Sequence, residues 1–252
     1  MTKPVFNVYS RYYDILYRDK DYAGEAAYIA HLLKRHNVPR GRLLEFGSGT
    51  GKHGIILAEL GYEVHGIEQS ADMVALAGSS KGFTSEQGDI CNVKLNRHFD
   101  AVISLFHVIS YQVTNTSVQA VFSRASEHLH PGGLFIFDFW YSPAVCAQQP
   151  TVRVKRVANN NIEITRISEP EIFPNENRVD VHYTIYARDL KSGVINDMKE
   201  THSMRHFSLL DIDLLCKMSG FELIGVEEFL SGKPVGESTW GACVILKKIA
   251  DD

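Results

Sequence analysis

The chain has 252 residues, 44% of them apolar, enough for a large core, and its formal charge of −4 leaves no general basic surface to concentrate nucleic acid. Cys91, Cys146, Cys216 and Cys243 form no C-x-x-C pair, so their spacing implies neither a metal site nor a disulfide framework, and they read as thiols of a reducing compartment. No window approaches the roughly 20 apolar residues of a membrane span, and the N-terminus lacks the apolar stretch of a leader, so a cytoplasmic protein without a membrane partner is expected.

Between Asp21 and His36, Ala26, Ile29, Ala30 and Leu33 recur at helical spacing, and Asn37 to Gly41 ends the helix. Leu43 to Phe46 is a short apolar strand running into a glycine cluster, and a helix over Lys52 to Leu60 closes at Gly61. A strand at Tyr62 to Glu68, a helix capped by Ser70, a short strand at Phe83 to Gln87 and a strand at Ala101 to Phe106 follow. After a helix ending near His130, Pro131-Gly132-Gly133 is expected to turn the chain into another nearly continuous apolar strand, Leu134 to Trp140. Strands alternating with helices point to a parallel sheet covered on both faces.

Beyond Tyr141 the period changes to two. Strands are predicted at Val152 to Val157, Ile162 to Ser168, Arg178 to Arg188 and Val194 to His206, separated by Asn159-Asn160-Asn161, Pro174-Asn175 and Lys191-Ser192-Gly193. In the third, Val179, Val181, Tyr183 and Ile185 share one face and Asp180, His182, Thr184 and Tyr186 the other. The boundaries that follow are 1–141 with 207–252 for the α/β domain, opening on a helical lid, and 142–206 for an inserted antiparallel sheet. Ser208-x-x-Asp211 has the form of a capping box before a helix closed by Gly220, and Phe221 to Phe229 and Trp240 to Lys248 read as an antiparallel pair at the sheet edge.

The chemistry-bearing stretch is Glu45-Phe46-Gly47-Ser48-Gly49-Thr50-Gly51, where glycines let backbone approach a ligand and the helix beyond presents its amides. Alone it is ambiguous, because Gly49-x-Gly51-x-x-Gly54 with Glu68 also satisfies a dinucleotide fingerprint, and a nicotinamide-dependent oxidoreductase is one reading. Glu45 stands before the glycines, where a carboxylate can order the loop and meet an ammonium group but offers a pyrophosphate nothing. Glu68 ends the second strand, placed to accept from ribose hydroxyls. Gly88-Asp89-Ile90 follows the third strand, with a carboxylate for an adenine amino group and an apolar wall beside it.

Leu43 to Gly51, Val64 to Gln69, Gly88 to Ile90, Phe99 to Tyr111 and Leu129 to Phe139 together resemble the successive motifs of class I methyltransferases. The resemblance covers roughly the first 140 residues. It implies a Rossmann-like seven-stranded sheet with the last strand antiparallel, helices on both faces, S-adenosyl-L-methionine as cofactor, no metal, and Gly47, Glu68, Asp89 and Leu105 to His107 around that cofactor. Tyr13 to Tyr17 with Lys20-Asp21-Tyr22 is similar to the opening of enzymes that dimethylate the amine of nucleotide-linked deoxyamino sugars, in which a sheet inserted after the fifth strand shapes the acceptor site or a dimer contact. The expected activity is therefore methyl transfer to a small molecule, an amino sugar first, with O- or C-methylation of another metabolite or non-catalytic adenosylmethionine binding as alternatives. A homodimer fits the same resemblance.

The candidate cofactor residues are Tyr13, Tyr22, Glu45, Gly47, Ser48, Gly49, Gly51, Glu68, Gln69, Met73, Asp89, Ile90, Leu105 and Phe106. Tyr12, Tyr13, Tyr17 and Tyr22 could form an aromatic lid over a sulfonium or simply staple a helix to the domain. His107, at the carboxyl end of the fourth strand, is the best-placed imidazole for a base or for lining the pocket, and Tyr13 is a second catalytic candidate that would orient the acceptor. His107, Trp140, Tyr141 and Arg205 are the acceptor candidates, Arg205 for a phosphate or carboxylate. Asp138 either bounds the same pocket or caps a loop; His182 and His202 need no function on a polar strand face.

Overall fold

The structure, a computed structural model, describes residues 10–250; the reading that no leader precedes the domain concerns residues 1–9, outside the described residues. Five strands pair in parallel in the order β3 (Phe83–Gln87), β2 (Glu63–Glu68), β1 (Arg42–Phe46), β4 (Phe99–Ser104) and β5 (Leu129–Tyr141). β11 (Gly241–Lys248) lies antiparallel along β5, and β10 (Phe221–Glu228) lies outside it. This is the expected seven-stranded Rossmann-like sheet.

Helices cover both faces because the strands are apolar on both. Leu43 of β1 and Leu134 and Ile136 of β5 pack with Ala26, Ile29 and Leu33 of α2 (Tyr22–Arg35) and Leu57 of α3 (Lys52–Glu59). Leu44 and Phe135, Phe137 and Phe139 face the other way, against Phe122 of α5 (Asn115–Glu127) and Ile212 and Cys216 of α7 (Leu209–Met218). The Phe122 ring centroid lies 5.5 Å from those of both Phe135 and Phe137 in edge geometry, and Phe135 lies 5.8 Å from Phe221. The caps form as their residues suggest: Ser70 accepts from the Met73 amide before α4 (Ala71–Ala77), and Ser208 and Asp211 each accept the other's backbone N–H.

Three local readings change. Pro131-Gly132-Gly133 lies inside β5 as a bulge, since β4 pairs Phe99 with Leu129 and then Ala101 with Leu134, so the strand starts earlier than its apolar run. The inserted strands β6 (Arg153–Ala158), β7 (Ile162–Phe173), β8 (Arg178–Asp189) and β9 (Ile195–Phe207) are long, and their sheet is hydrogen-bonded to the main one through Trp140–His206 and Tyr141–Phe207. β9 takes the edge of β5 left open where β4 stops. A short helix, α6 (Ser142–Gln148), links β5 to the insertion; Pro143 in its first turn was the available signal.

The first helix, α1 (Ser10–Leu16), packs on the insertion: Leu16, Tyr12, Tyr13 and Tyr17 join Val157, Ile164 and Ile185. The strand order reverses between β1 and β4, so their loops diverge at the carboxyl ends and leave a cleft there. No helix among the described residues is long and apolar enough to cross a membrane. Phe137→Ala should cost about 3–5 kcal/mol and Ser208→Ala about 1 kcal/mol in urea unfolding, because one empties a closed core and the other removes a half-buried helix cap. Equal losses would contradict this division of the core.

Candidate active site

A cavity of about 890 Å³ opens at the carboxyl ends of the parallel strands and is closed on its far side by the inserted sheet. Gly47, Ser48, Gly49, Glu68, Gln69, Met73, Asp89, Ile90, Leu105 and Phe106 all line it. Gly47 has φ +71°, and a Cβ there would lie 2.6 Å from the Val108 methyls, so the loops after β1 and β4 meet only because this residue is glycine. Gly49, at φ +54°, has open space where its Cβ would be.

Glu68 accepts from the Gly49 amide at 2.9 Å and from the Ser70 amide at 2.8 Å, one on each oxygen, which ties the end of β2 to the glycine loop. Burial raises its carboxyl above the ordinary value, and those amides partly oppose the shift. Asp89 is exposed, its oxygens accepting from the Cys91 amide and the Asn92 side chain, with Ile90 buried beside it.

Four expected site residues do not reach the cavity. Glu45 is 1% exposed and lies behind the loop, its Oε1 4.0 Å from His53 and its Oε2 where a Gly54 Cβ would be 2.6 Å away. It braces the loop. Gly51 is the left-handed residue that starts α3, packed against Phe83, so its lack of a side chain serves helix–strand packing. Tyr141 turns into the core against Phe139. Arg205 lies over the Phe207 ring and donates to Asn115, because β9 places it on the outward face.

Tyr13 and Tyr22 line the cavity with Tyr17, and this aromatic wall continues into Phe106, 5.1 Å from Tyr17. The lid is latched at both ends. Thr50 of the glycine loop donates to Asp14, and Arg166 of β7 donates to the Tyr17 hydroxyl at 3.0 Å. Below, Lys20 pairs with buried Glu25, which also lies 2.6 Å from His53; burial alone would raise the Glu25 carboxyl, and these partners hold it below its usual value.

At the other end of the cavity, His107 and Trp140 line it. The His107 Nδ1 is 2.7 Å from buried Asp138, whose two oxygens also face the His107 amide at 3.1 and 3.2 Å. The insertion adds Arg153, Arg166, Tyr183 and His202, and Tyr111 and Trp240 complete the wall. Tyr111 bonds His202 at 2.9 Å, and His202 lies 3.4 Å from Glu200. His182 stays outside, paired with Glu171. Tyr111 ends the Phe99 to Tyr111 motif without being singled out in it, and Arg153, Arg166 and Trp240 gave no sequence signal, whereas Val181 and Tyr183 belong to the face that the period-two pattern of β8 defines.

The residues fit an adenosine-containing cofactor: a glycine with open space above it, an acceptor-rich carboxylate at the second strand, a second carboxylate and apolar walls at the third. Glu45 offers a separate check, since burial, and then repulsion from Glu68, push its carboxyl up to about 8. A raised folded-state value means that the folded form holds the proton longer, so stability falls as pH rises from about 4.5 to about 8. The Tm of Glu45→Gln relative to the parent should therefore rise across that window. A constant difference would contradict it.

Residues 43–133 match the family described as methyltransferase domain. Over 227 residues the chain is 30% identical to the dTDP-3-amino-3,4,6-trideoxy-alpha-D-glucopyranose N,N-dimethyltransferase of Streptomyces venezuelae, covering 89% of this chain and 92% of that one. It is 29% identical to the dTDP-3-amino-3,6-dideoxy-alpha-D-glucopyranose N,N-dimethyltransferase of Streptomyces fradiae, covering 89% and 86%. The solved sugar N-methyltransferase KedS8 of Streptoalloteichus shares its fold, with a TM-score of 0.84 at 22% identity over 99% of this chain and 96% of that one. The match spans both the glycine loop and the insertion, and the oxidoreductase and non-catalytic readings of that loop give way to it. The chain is an enzyme and belongs to the class I S-adenosylmethionine-dependent methyltransferases.

Proposed function

We propose that this enzyme methylates the amino nitrogen of a nucleotide-linked amino sugar. The observation that carries the reading is the near full-length relation to two enzymes named for that chemistry, because it includes the inserted sheet as well as the glycine loop. The cavity agrees in kind. Its acceptor half combines aromatic walls at Tyr17, Phe106, Tyr183 and Trp240, which attract a cation, with Arg153 and Arg166, which suit a phosphate.

In this reading Glu68 holds the ribose hydroxyls of the cofactor, Asp89 its adenine amino group, Met73 and Ile90 the faces of the base, and the loop at Gly47 to Gly49 its amino-acid end. When bound, adenosylmethionine supplies a methyl on cationic sulfur, which the acceptor nitrogen takes with its lone pair while the carbon–sulfur electrons return to sulfur. The protein's part is alignment, for which effective molarity supplies roughly 7 to 11 kcal/mol. An ammonium must first lose a proton, and His107 accepts it. Tyr13 and Trp140 bound the space in which the amine sits. The lid at α1 and the insertion exclude water from it. In the same reading a second copy of the chain packs along the outermost inserted strand, β6, an open edge on which Val154 is exposed, as is Val152 just before it.

Glu68→Ala should weaken adenosylmethionine binding about 10- to 100-fold by titration calorimetry, at roughly 1.5–3 kcal/mol for charge-assisted bonds lost. An unchanged affinity would remove the cradle. Labelled methyl transfer should go to nucleotide-linked amino sugars ahead of simple amines and hydroxyl acceptors. Transfer to hydroxyl compounds alone would overturn the assignment.

A further inference from the structure

Asp138 has no part in the scheme above, yet its position is unusual for an acid. Along β5, Phe135, Phe137 and Phe139 enter one side of the core, while Leu134, Ile136 and Asp138 alternate onto the other. Asp138 is 1% exposed, beside Cys243 of β11, where an unpaired carboxylate would be strongly disfavoured.

Among the described residues, its hydrogen bonds come from the backbone amide of a single residue, His107. The amide of His107 donates to Oδ1 and Oδ2, and its ring Nδ1 stands 2.7 Å from Oδ2. Phe106 and His107 are both left-handed, at φ +66° and +62°, a pair of non-glycine residues that persists only where surrounding structure holds it. The carboxylate that grips the amide is part of that hold. Burial alone would raise the Asp138 carboxyl, and His107 keeps it below its usual value, hence ionised and purely an acceptor. The other groups acting on it are Lys20, from the segment before α2, and the Cys243 thiol.

The ring Nδ1 makes no aligned hydrogen bond in this conformation, but an acceptor-only carboxylate at 2.7 Å favours the tautomer that places the proton of a neutral imidazole on Nδ1. Nε2 is then the lone-pair nitrogen, on a side chain 24% exposed that lines the cavity. We propose that Asp138 is a positioning residue that fixes the Nδ1–H tautomer and the orientation of His107 and so aims Nε2 at the acceptor's ammonium. The inference rests on His107 as the base. In the step, Nε2 takes one proton from R–NH₃⁺ and so frees the nitrogen lone pair for the methyl that a bound cofactor would supply, its carbon–sulfur electrons going to sulfur, while Asp138 stays ionised beside the imidazolium.

The test is steady-state kinetics of Asp138→Asn, His107→Ala and the double variant, with labelled adenosylmethionine and a nucleotide-linked amino sugar. Each single variant should lose roughly 100-fold in kcat, the scale of general-base catalysis, with acceptor KM and cofactor affinity within about 3-fold of the parent. The double variant should lose no more than His107→Ala alone. In Asp138→Asn, kcat should climb with pH as free solution takes over deprotonation. If His107→Ala loses activity and Asp138→Asn does not, the positioning role is wrong and the base stands. A fully active His107→Ala removes both. A loss in Asp138→Asn that adds to that of His107→Ala, or that comes with lost cofactor binding, makes the role structural. The ¹⁵N spectrum of ring-labelled parent protein, with the His107 signals assigned by their absence in His107→Ala, should show the Nδ1–H tautomer. The Nε2–H form would overturn the proposal even where Asp138→Asn does not fold.

Discussion

The reversal of strand order between β1 and β4 is the constraint on which the site depends. Strands on either side of that line send their crossovers to opposite faces, so the loops after β1 and β4 turn away from each other beyond their contact at Gly47 and leave a cleft. Gly47 on one lip and Val108 on the other touch because the first has no Cβ. From this geometry follow the places of Glu68 and Asp89 on one flank and Leu105 to His107 on the other.

Carboxyl groups crowd this edge, and each meets burial in its own way. Glu68 is held by two backbone amides, Glu25 by Lys20 and His53, and Asp138 by His107, while Glu45 has too little support and gives up its charge at neutral pH. A carboxylate excluded from water interacts strongly with whatever faces it, so the same burial that costs stability sharpens the field inside the cavity.

The lid and the insertion pack together in a cluster separate from the core of the parallel sheet. α1 lies in the apolar face of β6 to β8, and the Tyr17–Arg166 bond joins the two across the mouth of the cavity. β9 anchors this unit by two backbone pairs to the end of β5. An α/β sheet that carries the shared chemistry can in this way bear an acceptor site that varies separately, which is how one fold serves many substrates.

Much of the fold was legible because its signals are short-range. Ser70 and Ser208 cap, Gly47 and Gly49 turn, and apolar runs at Leu43 and Leu134 mark buried strands, since each depends on a few neighbouring residues. The order of the motifs along the chain likewise brought Gly47, Glu68 and Asp89 to one wall of the cavity. Tertiary structure alone decided which of these residues face the cavity. Glu45 and Tyr141 stand in the right segments yet point elsewhere, because strand alternation sends neighbouring side chains to opposite sides. Tyr111 meets His202 across 91 positions and Asp138 meets His107 across 31. Such pairs are set by strand register and by the join of two sheets, which no local pattern encodes.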